Sequence, residues 1–280
     1  MRLTDRATVQ ALMQKHNLHF QKKYGQNFLV NPTVLTRIAE HAAPGVLEIG
    51  PGIGSLTREL CSVAERVVAV EIDRALIPVL AETLADFSNV KVINEDVLKL
   101  DLGALLREEF GDLPVSVCAN LPYYITTPII MALLESHLPF REITVMIQKE
   151  VADRLCATAG SGLYGAVTAA VSYYARVVKR FDVAPGNFVP APKVTSTVIS
   201  IIPHETPPVS VPNEALLFSV IRAAFGQRRK TLQNALSAGL PYAREQIARV
   251  IADCGLSPTV RGECLSLAEF AALATAFAAI

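Results

Sequence analysis

The stretch Val46-Leu47-Glu48-Ile49-Gly50-Pro51-Gly52-Ile53-Gly54 decides how the chain folds. A short apolar run enters three glycines at alternate positions, and a helix-like stretch over 55–64 follows. The next apolar run, RVVAVEID (66–73), carries the acidic residue Glu71 near its end. Together these describe half of a nucleoside-binding site, because glycine lets the backbone approach a ligand and a carboxylate accepts from both hydroxyls of a ribose. The same pattern also fits a dinucleotide site, or a mere tight turn between strand and helix. Dinucleotide sites use G-x-G-x-x-G, in which the third glycine allows close helix packing and the helix start receives a pyrophosphate. Here the order is G-x-G-x-G (Gly50, Gly52, Gly54), with Pro51 stiffening the turn. A wider loop of this kind suits a nucleoside that brings no phosphate, such as S-adenosylmethionine.

Working outward, apolar runs recur at 46–50, 66–71, 90–94, 115–119 and 143–148 with helical stretches between them. That alternation predicts a parallel sheet flanked by helices, with ligands at the carboxyl ends of the strands. Two further β-like runs, 176–183 and 194–202, are joined by APGNFVPAPK (184–193) and read as a hairpin completing the sheet. Towards the N-terminus, residues 3–17 predict an amphipathic helix opened by Thr4 or Asp5. The polar segment QKKYGQNFLVNP (21–32) is a linker or a lid, and Asn31 with Pro32 caps a helix running to His41.

The segment PHETPPVSVP (203–212) holds four prolines and marks a linker. Beyond it the chain reads helical at 213–225, 228–237, 243–254 and 266–278. Ser266 and Glu269 form a capping box there, with Leu265 and Phe270 as its staple. The expected organisation is an α/β domain over 1–205 with a basic N-terminal arm, and a small all-helical domain over 212–280 that contacts RNA.

With 280 residues, 51% of them hydrophobic, the chain can bury a full core. Its five cysteines (61, 118, 156, 254 and 264) form no CxxC pair, which argues for reduced cytoplasmic thiols and against a disulfide framework or a zinc site. The histidines are scattered, so no metal is expected. Residues 155–175 contain no charge and are long enough to span a bilayer. Gly160, Ser161, Gly162 and Gly165 interrupt them, so this stretch reads as a loop and a buried helix, with no membrane partner. The net charge is zero, but residues 1–39 carry +5 and residues 40–113 carry −8. Basic termini can therefore attract a polyanion without a basic average.

The candidate chemistry lies at successive strand ends. Glu71 would hold the ribose diol, Asp96 in VINEDV (92–97) would accept from the adenine amine or merely cap the next helix, and the Gly50–Gly52 loop would pass under the methionine moiety. Asp73 reads as a cap. The fourth run ends in Asn120-Leu121-Pro122-Tyr123. An exocyclic amine is a poor nucleophile because its lone pair is delocalised into the base. The Asn120 side-chain oxygen and a main-chain carbonyl at Leu121 or Pro122 can hold the amine hydrogens and favour a pyramidal nitrogen. Proline keeps the turn rigid without adding a donor, and Tyr123 offers a ring for stacking. Phe188 is either a second stacking face for a flipped base or a plug of the hairpin against the sheet. Arg222, Arg228, Arg229 and Lys230 cluster near one helix start, and with Lys22 and Lys23 they are candidates for phosphate contacts.

GQNFL (25–29), EIGPGIGSLT (48–57), VEID (70–73), ED (95–96), NLPYYITTPI (120–129), NFVPAPKVTSTV (187–198) and AAFGQRRKTLQNAL (223–236) resemble the bacterial ribosomal RNA small-subunit adenine dimethyltransferases, in order, from about residue 20 to about residue 265. The resemblance implies a seven-stranded Rossmann-like methyltransferase sheet with a small helical C-terminal domain. It implies S-adenosylmethionine contacts at Asn27, Leu29, Gly50, Glu71, Asp96 and Asn120, and substrate-side aromatics at Tyr123 and Phe188. It further implies a cytoplasmic, monomeric enzyme of ribosome biogenesis that dimethylates two adjacent adenosines near the 3′ end of small-subunit RNA in an immature 30S particle. Two other readings share the scaffold: a large-subunit ribosomal RNA adenine methyltransferase of the macrolide-resistance type, and a non-catalytic ribosome-assembly or nucleic-acid-binding factor.

Overall fold

The computed structural model describes residues 1–18 and 26–280; Lys22 and Lys23 lie outside the described residues. The strands among them are β1 (Phe28–Leu29), β2 (Gly45–Ile49), β3 (Arg66–Glu71), β4 (Val90–Asn94), β5 (Val115–Asn120), β6 (Phe140–Gln148), β7 (Ala175–Val183), β8 (Phe188–Val189) and β9 (Ser196–Pro203). Seven form one sheet in the order β4-β3-β2-β5-β6-β9-β7, and β1 pairs with β8. The pairs β2/β3, β3/β4, β2/β5 and β5/β6 are parallel, whereas β9 runs antiparallel to β6. The chain moves outward from β2 to β4, then returns to the other side of β2 for β5 and β6. The order therefore reverses between β2 and β5, where loops leaving the carboxyl ends diverge and open a crevice.

Every residue of β2 is buried. Val46 and Leu47 point to opposite faces and neither is exposed, so both faces of the sheet are covered at its centre, as a continuous apolar run predicts. The helices Pro32–Ala39 and Ser55–Val63 place Leu35, Ile38, Leu56 and Leu60 in one cluster with Val46 and Val67. Each such side chain contributes about 1.5–3 kcal/mol through burial. Local signals start the helices where the sequence places them. Asp5 accepts from the Thr8 amide (2.8 Å), Asn31 accepts from the Val34 amide (3.3 Å) ahead of Pro32, and Ser266 and Glu269 close a reciprocal box (2.7 and 3.3 Å).

Two compact units result, one of Met1–Ala152 with Val177–Pro203 and the other of Asp153–Arg176 with His204–Ile280. This departs from the expected boundary, which assigns 153–176 to the first domain. The proline-rich linker marks one crossing only. The helix Ala166–Tyr174 instead buries Ala169 and Tyr173 in a core with Leu217, Ile221 and Phe270, and the Tyr174 hydroxyl donates to Glu214 (2.7 Å). Among the described residues no helix is long and apolar enough to cross a membrane. A second departure concerns the basic run: the helix expected from residue 228 begins at Leu232, so Arg228, Arg229 and Lys230 occupy an exposed turn after the helix Glu214–Gly226.

The β1/β8 ribbon has the most direct consequence for function. Leu29 lies opposite Phe188, the Val30 amide donates to the Asn187 carbonyl (2.9 Å), and the Asn31 amide group donates to Asn187 Oδ1 (2.7 Å). These bonds tie residues 28–31 to the segment before β9.

Candidate active site

The crevice at the strand reversal is a cleft of about 810 Å³, its open mouth included, a size that accommodates a nucleoside-sized ligand. Asn27, Leu29, Gly50, Gly52, Glu71 and the whole of Asn120-Leu121-Pro122-Tyr123 line it. Residues from four separate stretches of sequence therefore meet as expected.

The glycine loop leaves β2 in a left-handed conformation, with φ of +70° at Gly50 and +63° at Gly52. At Gly52 a Cβ would also lie 3.0 Å from the Phe28 ring, so a side chain there would meet both backbone strain and a packed aromatic. Glu71 fastens this loop from the neighbouring strand. Its Oε2 accepts from the Gly52 amide (3.1 Å) and its Oε1 from the Asp73 amide (2.7 Å). The residue is almost wholly buried, and burial pushes its carboxyl up to about 7 against the lowering effect of those two amides. Asp73 acts as a cap, accepting from the Ala75 amide (3.1 Å), and it also holds Gln26 Nε2 (2.8 Å) at the cleft wall.

At the tip of β5, Asn120 Nδ2 donates to the main-chain carbonyl of Asn27 (3.1 Å). A carbonyl can only accept, so this bond fixes which end of the amide is which and leaves Oδ1 as the acceptor of that side chain. The Pro122 carbonyl accepts from the Ile125 amide (3.2 Å) and the Thr126 hydroxyl (3.1 Å). That commits Pro122 to the turn and singles out Leu121 as the second carbonyl of the motif. The Leu121 amide is held by the Met146 carbonyl of β6 (3.1 Å). Tyr123 shares a hydrogen bond with Ser196 Oγ on β9 (2.7 Å), and burial raises its hydroxyl pKa. Each part of the motif is thus braced by a different strand or loop.

Two expected residues stand elsewhere. Asp96 lies at the tip of β4, outside the residues that line the cleft. Its Oδ1 caps the turn Val97–Lys99 through the Leu98 amide (3.1 Å), with Lys99 4.0 Å from its other oxygen. Phe188 is corrected more sharply: it is 0% exposed and packs among Leu29, Leu35 and Ile38, so it plugs the ribbon against the core and offers no face to a base. Conversely, Glu48 and the half-exposed Tyr124 line the cleft without having been singled out. The signal for Glu48 was present, since a carboxylate within an otherwise apolar central strand is out of pattern.

A family model described as ribosomal RNA adenine dimethylase matches residues 17–273. The chain is 50% identical over 270 residues to the Ribosomal RNA small subunit methyltransferase A of Lachnoclostridium phytofermentans, covering 94% of this chain and 93% of that one. It is 48% identical over 270 residues to the protein of the same name from Anoxybacillus flavithermus, covering 94% and 92%. Among solved structures it is similar to a dimethyladenosine transferase from Plasmodium falciparum, with a TM-score of 0.72 and 25% identity over 88% of this chain and 95% of that one. It is also similar to the 23S rRNA methyltransferase ErmE, with a TM-score of 0.66 and 26% identity over 89% and 99%. The matched span takes in the glycine loop, the braced tip of β5 and most of the helical unit alike, and on that breadth the chain belongs to the ribosomal RNA adenine dimethylase family.

Proposed function

We propose that the protein transfers methyl groups from S-adenosylmethionine to the exocyclic amines of two adjacent adenosines near the 3′ end of small-subunit ribosomal RNA, giving dimethyladenosine within an immature 30S particle. The observation that carries this reading is the Asn120 amide, turned by the Asn27 carbonyl so that its oxygen is the acceptor at the strand reversal. The cleft suits the cofactor: a buried carboxylate stands beside a left-handed glycine loop, and the Glu48 Oε2 and Ser55 Oγ of its lining have no hydrogen-bond partner among the described residues.

Bound there, S-adenosylmethionine supplies an electrophilic methyl group on a positively charged sulfur. Glu71 accepts from the ribose hydroxyls with the lone pairs its two backbone donors leave over. Asn120 Oδ1 and the Leu121 carbonyl hold the two amine hydrogens, which draws the nitrogen lone pair out of conjugation and aims it. Tyr123, anchored through Ser196, is the stacking face. Asn120 neither takes nor gives a proton, and the amine sheds its own only after it has become cationic. Catalysis is then positioning and electrostatics. Arg222, Arg228, Arg229 and Lys230 add sequence-independent phosphate contacts.

Mass spectrometry of small-subunit RNA from cells lacking the enzyme, complemented with wild type or Asn120→Ala, tests the reading. Dimethyladenosine is expected with the first and almost none with the second. An undiminished yield with the variant removes Asn120 from its role. Primer-extension stops in the large-subunit RNA instead would move the substrate to that of the ErmE type.

A further inference from the structure

Glu48 takes no part in the chemistry above, yet it lines the same cleft. It is 1% exposed, and its Oε2 has no hydrogen-bond partner among the described residues. An unpaired buried acceptor is costly, and an ionised one far more so. Burial, reinforced by the charge of Glu71, accordingly pushes its carboxyl up to about 8, with the Thr57 hydroxyl opposing that rise without completing a hydrogen bond to Oε2.

The groups that act on this position from the surrounding elements are Glu71 on β3, backed by Asp73, the Cys118 thiol on β5, and the Cys61 thiol on the helix Ser55–Val63. Burial and the charge of Glu48 keep both thiols protonated. The cation in this set is Arg58, which acts on Cys61 and is engaged by the Thr83 carbonyl and, at 3.7 Å, by Asp86. Glu48 is thus surrounded by anions and neutral thiols. What would let it ionise is a cation entering the cleft.

We propose that Glu48 makes the cleft selective for the charged methyl donor over the spent cofactor: its carboxyl is neutral in the open cleft and ionises, releasing its proton to solvent, when a sulfonium nucleoside occupies it. The inference rests on the methyltransferase reading. No covalent bond other than the carboxyl O–H breaks. S-adenosylhomocysteine carries a neutral thioether and gives Glu48 no reason to ionise. Loss of the methyl group therefore converts a tightly held ligand into a weakly held one, favouring turnover.

The sign follows from which form each ligand prefers. Affinity for the donor rises with pH, by up to about tenfold per unit, until Glu48 is ionised in the open cleft as well, near 8. Affinity for the product gains nothing from this group. Isothermal titration of the full chain with each nucleoside, from about pH 6 to about pH 8.5 in two buffers of different protonation enthalpy, reads both effects. Wild type is expected to release about half to one proton on binding S-adenosylmethionine at about pH 7, and the donor-to-product affinity ratio climbs with pH. In Glu48→Gln the release disappears and the ratio flattens. The ligands' own amines titrate alike in both proteins and cancel in the comparison.

Undiminished release in the variant, which would name Glu71 or another group as the source, overturns the proposal. So does absence of release in wild type, a result that needs no variant to fold. Binding of neither nucleoside at any pH sinks the methyltransferase reading together with it. Thermal unfolding without ligand is an independent readout. A group raised from 4.5 to about 8 stabilises the fold below its ordinary value and loses that contribution as pH rises through the raised one. The wild-type Tm should fall across that window more steeply than that of Glu48→Gln, and parallel curves would count against Glu48.

Discussion

The tip of β5 and the short strand β8 each carry an aromatic ring that reads in the sequence as a stacking face, and the fold gives them opposite surroundings. Tyr123 follows the last residue of its strand, where the chain has left the ladder and enters the crevice. Its ring lines the cleft while its hydroxyl is moored to Ser196. Phe188 sits inside a paired strand, opposite Leu29, with its whole surface covered. Side-chain type and motif membership are alike in the two cases. What separates them is whether the backbone at that point is still paired, since a paired residue points into whatever lies behind its ribbon.

Substitutions can break this contrast. Phe188→Ala should have the largest effect, a loss of about 3–5 kcal/mol in unfolding free energy, read by denaturant titration, with methyl transfer per folded molecule retained. The reverse result, intact stability and lost transfer, would return Phe188 to the cleft. Asn120→Ala should do the opposite, lowering transfer by about 10²–10³-fold in single-turnover assays while cofactor affinity and Tm change little. Tyr123 separates ring from hydroxyl. Tyr123→Ala should weaken RNA substrate binding by about 1–3 kcal/mol, whereas Tyr123→Phe keeps the stacking face. The latter should cost about 1 kcal/mol of stability through the buried Ser196 hydroxyl left behind.

The contrast also marks how far the sequence could be read. The seven sheet strands were legible to within a few residues because each is an apolar run between turn residues, and the strand reversal follows from their order. Asn120 and Glu71 were legible because chemistry at strand ends is positional: a polar residue closing an apolar run faces the crevice. The ribbon joining Phe28–Leu29 to Phe188–Val189 was not, since two residues carry no periodicity and their partners are 160 positions apart. Phe188 was misplaced with it. The ownership of residues 153–176 was equally hidden, because a buried helix looks the same whichever core receives it. Asp96 shows the remaining ambiguity: the same side chain at the same kind of tip can serve as a cap or as a ligand, and here it caps.

The basic turn after the helix Glu214–Gly226 extends the comparison from rings to charges, with the smallest expected effect. Arg228 is partly committed, reaching the Gly162 carbonyl at 3.2 Å and Glu263 at 3.9 Å, whereas Arg229 and Lys230 stand exposed beside it. An exposed cation that contacts a phosphate displaces a counterion, so its removal lowers the slope of log affinity against log salt by about 0.7–0.9. Arg229→Ala should show that change in binding to small-subunit particles, with the same adenosines still modified, because phosphate contacts position without reading sequence. Arg228→Ala should also disturb Glu263 and the 162 loop, and so add a stability loss that Arg229→Ala lacks. If both variants leave the salt slope untouched, the turn is solvated surface, and the polyanion must be held by cations elsewhere on the chain.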